Sequence, residues 1–76
     1  MKHICVVCEY GWIICGIQKS ENDDALTLNG AAVVRRWDNG KGIGGIARYK
    51  DEYTLDEIGT VEIKKSKILF TIPCEW

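Results

Sequence analysis

A mainly β fold is predicted: a small barrel or strongly bent antiparallel sheet of five to six short strands with one short helix. Three observations predict it. Short runs rich in Val and Ile recur along the chain, clusters of turn-forming residues separate them, and all of this fits within 76 residues. The expectation is one domain, 1–76, without linker, internal repeat or low-complexity tract.

The elements follow in order. Residues 4–9 are rich in β-branched side chains, and residues 12–17 repeat that character after Tyr10-Gly11. Residues 18–24 are polar and hold turn formers, which predicts a surface connection. Leu26-Thr27-Leu28 alternates, Asn29-Gly30 signals a tight turn, and residues 31–37 form the next strand. Ile43, Ile46 and Ala47 fall at i, i+3 and i+4, one face of a helix. Gly44 and Gly45 each weaken that helix by ~1 kcal/mol relative to alanine, so it runs for a turn or two only. Residues 60–64 and 68–72 are two further strands, Lys64-Lys65-Ser66-Lys67 is the hairpin between them, and Pro73 ends the last.

A chain this short buries only ~60% of its unfolded surface, which favours help from oligomerisation. No apolar run approaches the ~20 residues that cross a bilayer, and residues 4–7, closed by Glu9, are too short for a secretory signal. The expectation is a soluble, cytoplasmic protein with no membrane partner. Net charge is −1, so bulk charge does not advertise nucleic-acid binding. The distribution says more. Residues 35–50 carry Arg35, Arg36, Lys41, Arg48 and Lys50 against Asp38 alone. Acidic clusters at Glu21, Asp23 and Asp24, and at Asp51, Glu52, Asp56 and Glu57, can neutralise part of that charge in surface salt bridges.

Of the four cysteines, Cys5 and Cys8 have the spacing of half a zinc site, but the intervening Val-Val favours extension, which turns them to opposite faces. Cys15 and Cys74 read as small core residues. A lone His3 at a frayed terminus, and Ser20 and Ser66 in polar turns, give no nucleophile, base and orienting group together, so catalysis, metal and cofactor are not expected. Gly40-Lys41-Gly42-Ile43-Gly44-Gly45 lacks the order of a phosphate loop, yet its amides can wrap an anion. Arginine presents a fork of donors to phosphate, and an aromatic ring stacks on a base for ~1–3 kcal/mol. The candidate ligand-binding residues are therefore Tyr10, Arg35, Arg36, Trp37, Asn39, Gly40, Lys41 and Gly42. Arg35 and Arg36 point to opposite faces of a strand, so one of them meets the ligand, and Trp12 is assigned to the core.

Residues 10–16 (Tyr-Gly-Trp-Ile-Ile-Cys-Gly), 33–47 around Arg35-Arg36-Trp37, and 55–61 (Leu-Asp-Glu-Ile-Gly-Thr-Val) resemble three blocks of a group of small phage and prophage proteins. Those carry a Gly-Trp-Val strand, an Arg-Arg-Trp segment running into a Gly-Leu-Gly loop, and a Leu-Asp-x-x-Gly-Thr-Val return. Asp38, Asn39, Gly40 and Gly45 depart from the pattern, all of them in the loop that would set ligand identity. The group in turn resembles the viral sponge proteins that sequester nucleotide signals of defence systems such as CBASS and Thoeris. The resemblance implies a homo-oligomer with pockets at subunit interfaces, in the cytoplasm of an infected bacterial host. Its partner would be a cyclic nucleotide, a cyclic ADP-ribose-type signal or a related small anionic signal, held without cleavage. Two other readings stand beside it: a protein-interaction module that blocks a host protein, and a single-stranded nucleic-acid binder, which usually carries more positive charge.

Overall fold

Alternation along each strand decides which face its side chains enter. The structure is a computed structural model and describes residues 3–76. In β1 (His3–Cys8), Ile4, Val6 and Cys8 enter one core and Cys5 enters another on the opposite face. This is the separation of Cys5 from Cys8 that extended Val6-Val7 dictates. The remaining strands are β2 (Ile13–Glu21), β3 (Ala25–Arg36), β4 (Thr54–Lys64) and β5 (Ile68–Pro73). They form one antiparallel sheet in the order β4-β3-β2-β1-β5.

The sheet bends sharply where three strands carry glycine. Gly30 and Gly59 take positive φ, +54° and +79°, and the β3–β4 register slips between Leu28 and Ala31. On β2, a Cβ at Gly16 would sit 3.1 Å from the Leu28 Cβ and from the Asn29 carbonyl, so only glycine lets the two strands approach there. The sheet folds along this line and encloses Ile4, Val6, Cys8, Ile14, Leu26, Leu28, Ala31 and Ile63.

Two expectations are corrected here. Asn29-Gly30 is a bulge inside one twelve-residue strand, not a tight turn between two strands, so the expected five to six strands number five. β4 and β5 also do not pair. Residues Lys65–Lys67 make a 3-10 turn, and β5 crosses to the far edge to join β1. The bend brings the end of β4 close to that edge, so a three-residue connection is long enough.

The other face of β1–β3 would leave Cys5, Cys15 and Val34 exposed, and the segment 37–53 covers them. Ile46 is completely buried in this second core beside Tyr53, with Trp37, Ile72, Cys74 and Trp76 closing it. The expected short helix is two 3-10 turns, Gly44–Ala47 and Lys50–Glu52, as two adjacent glycines favour. The C-terminus straps the segment down. Glu75 N–H donates to the Ala47 carbonyl at 2.8 Å, and the Trp76 indole N–H donates to the Ile46 carbonyl at 2.7 Å. His3 is not frayed: it pairs opposite Ile17, and its ring lies 4.7 Å from that of Trp76.

Candidate nucleic-acid interface

The segment 35–42 places its side chains as follows. Arg35 and Arg36 end β3, both exposed. The Arg35 guanidinium pairs with Asp56 at 3.3 Å on neighbouring β4, while Arg36 makes no ion pair among the described residues. Trp37 packs 5.6 Å from the Tyr53 ring, against the second core. Asn39 shapes the loop: its side-chain oxygen accepts from the Lys41 N–H at 2.9 Å, and its amide donates to the Glu52 carbonyl at 3.2 Å. Gly40 and Gly42 take positive φ, +76° and +67°. Lys41 pairs with Glu52 at 2.9 Å, lies over the Tyr49 ring at 4.9 Å, and is held protonated above its ordinary range by the Glu52 carboxylate. The Tyr53 hydroxyl donates to the Gly42 carbonyl.

These interactions turn the loop inward. Its lysine is matched by a carboxylate, a carbonyl is capped by a phenol, and the indole is used for packing. The cationic cradle expected from the sequence is therefore mostly spent on holding the segment together.

Tyr10 sits elsewhere, on the Glu9–Gly11 turn between β1 and β2, where it is 94% exposed with φ +62°. A positive φ in a bulky residue is strained and clusters at functional positions. Trp12, expected in the core, is 55% exposed beside it. The assignments of Trp12 and Trp37 are thus exchanged, because the segment 37–53 folds over Trp37 and nothing equivalent covers the turn. Behind Tyr10 and Trp12 opens a cleft of about 320 Å³ walled by Ile14, Val61 and Ile63, with Lys64 and Lys67 at its rim. Lys67 is paired with Glu9 only loosely, at 3.5 Å across solvent. Sequence reasoning missed this cleft. Its signal was the Tyr-Gly-Trp triplet itself, a positive-φ turn flanked by two rings. A larger cavity of about 500 Å³ lies on the face of the second core, between His3, Cys15, Lys50, Asp56, Glu57 and Trp76.

The sheet edges are a second feature. β4 and β5 each leave one side of their backbone without a strand partner, and β5 exposes Leu69 (63%) and Phe70 (50%). Such an edge is a template for pairing with another chain.

No family model matches this chain, and no curated protein does. Among solved structures it is similar to a heptameric archaeal Sm protein, described for its implications for the eukaryotic snRNP core, with a TM-score of 0.65 and 20% identity over 95% of this chain and 84% of that one. It is similar also to the SmAP1 heptamer of P. aerophilum, with a TM-score of 0.68 and 19% identity over 99% of this chain and 81% of that one. The fold is Sm-like. This likeness overturns the expected sponge for cyclic nucleotide signals and the phage anti-defence role attached to it: the solved structures that share the architecture are Sm proteins. Among the described residues no helix is long and apolar enough to cross a membrane.

Proposed function

We propose that this chain is a non-enzymatic, ring-forming protein that binds single-stranded RNA. The observation that carries the reading is the Sm-like sheet with both edge strands open and apolar residues exposed along β5. An open edge on β4 and another on β5 are complementary in kind, and pairing one with the other in the next copy generates a head-to-tail assembly, which closes into a ring where the rotation between copies divides a full turn. Both solved neighbours are heptamers, and one bears on an RNA-containing particle by its description.

RNA is read here through unpaired bases. The Tyr10-Trp12 cleft offers rings for stacking, an apolar pocket, and two lysines for the adjoining phosphates. Net charge of −1 is compatible with this reading because the phosphates meet Lys64 and Lys67 at the cleft rim and not the averaged surface. The test is fluorescence anisotropy with labelled RNA 10-mers of each base, with matched hairpin RNA as control. Micromolar or tighter binding of a single-stranded oligomer, lost in Trp12→Ala, supports the reading. Equal and weak binding of every RNA, unchanged in that variant, refutes it.

A further inference from the structure

Three of the four cysteines meet in the second core. Cys5 and Cys15 lie directly opposite each other on β1 and β2, and both side chains enter the same packed cluster. Directly opposed residues of antiparallel strands have Cα atoms ~4.5–5.5 Å apart. That lies inside the ~4.4–6.8 Å over which a disulfide forms without backbone movement. Cys74 packs against the pair from the C-terminal strap, and its thiol donates to the Ile72 carbonyl. Cys8 belongs to the other core and faces away. Among the described residues no group of three or more His, Cys, Asp or Glu side chains is placed to hold a metal ion, which leaves pairwise sulfur chemistry.

We propose that Cys5 and Cys15 are a redox pair that closes a cross-strand disulfide when a small peroxide enters the cavity lined by Cys15. Both are free thiols in the structure. The proximity of the two sulfurs lowers the Cys5 pKa and raises that of Cys15. Attack of one thiol of the pair on peroxide breaks the O–O bond, giving a sulfenic acid on that sulfur, and the displaced hydroxide takes the thiol proton as one water. The other sulfur then attacks the sulfenic sulfur. The S–S bond forms, the S–O bond breaks, and hydroxide leaves with the second thiol's proton as a second water. Two thiols are oxidised by two electrons and one peroxide is reduced. A mild reductant reverses the change.

The product ties β1 to β2 beneath the C-terminal strap, where it stiffens the support of the segment 37–53. This inference is independent of RNA binding.

The test treats the full chain, natively folded, with hydrogen peroxide, blocks remaining thiols with N-ethylmaleimide, and maps the products by mass spectrometry. Cleavage after Tyr10 and Trp12 separates Cys5 from Cys15, and the Cys8→Ser variant removes the one ambiguity in the first peptide. The expected result is a single Cys5–Cys15 linkage that persists in Cys8→Ser and Cys74→Ser. It raises the melting temperature by at least about 5 °C, and dithiothreitol removes it. Linkage through Cys74 as the main product overturns the assignment. So does sulfinic acid at scattered cysteines without linkage, or no modification under conditions that oxidise a free thiol peptide.

Discussion

Single side chains show most plainly how the segment 37–53 is held. Ile46 is fully buried and has a glycine on its N-terminal side, so Ile46→Ala removes a whole anchor at little gain in backbone order. It is expected to cost about 2–5 kcal/mol in urea denaturation. Gly45→Ala is the converse case: a Cβ there meets the Tyr53 hydroxyl and lies 2.7 Å from the Lys41 Cβ, so overpacking of about 1–3 kcal/mol is expected. The buried thiols give a pH signature. Burial pushes Cys74 up to about 11 from an ordinary 9.0, so the unfolded chain releases this proton first as pH rises. The stability it contributes is fully present below pH 9 and is lost as pH climbs through about 11. Thermal melts taken from about pH 8 to about pH 11 should fall less steeply in Cys74→Ser than in the parent chain. At this scale the sequence was partly legible. Cys15 and Cys74, read as core residues, do pack into the second core, but the fates of Trp12 and Trp37 were exchanged, because an indole's burial depends on what folds over it and not on its neighbours in sequence.

At the level of elements, β-branched runs located part of every strand and Pro73 ended the last as expected, but β4 begins at Thr54, before the expected 60–64, and β2 runs on to Glu21 into the expected connection. What misled was a signal with two structural meanings. Asn-Gly supplies positive φ equally to a hairpin and to a bulge, and only the apolar residues on both sides of the bend, Leu26 and Leu28 with Ala31, show that both arms serve one core. The pairing of β4 with β5 was likewise read from adjacency, the ordinary case for antiparallel strands, whereas the bend makes the crossover shorter than it looks. Gly59→Ala tests the bend. With φ at +79° the substitution strains the backbone, and a loss of about 1–2 kcal/mol is expected although nothing lies within 4 Å of the added carbon. A loss of that size with open space around the site isolates conformation from packing. The candidate site divides in the same manner. Arg35 is matched by Asp56, and Lys41 and Asn39 by Glu52, all partners outside the segment, while Tyr10 stands apart with Trp12 over a cleft that no linear pattern reveals.

For the whole molecule, assembly and RNA binding are linked claims with separable tests. Phe70→Lys on the exposed face of β5 should reduce or abolish oligomers while leaving the circular dichroism of the folded chain intact, since Phe70 is half exposed and lies outside both cores. Lys64→Ala with Lys67→Ala should lower the salt dependence of RNA affinity by about 0.7 in slope for each phosphate that is no longer neutralised. Removing a single stacking ring in Trp12→Ala should weaken affinity by about 5–150-fold, from ~1–3 kcal/mol per base.

The most direct measurement is the native mass of the purified chain at micromolar concentration, with and without a single-stranded RNA oligomer. The account predicts one closed species at a fixed multiple of the 8.6 kDa chain, which gains the mass of bound RNA. A particle of 8.6 kDa that carries no RNA at any low-salt condition contradicts it.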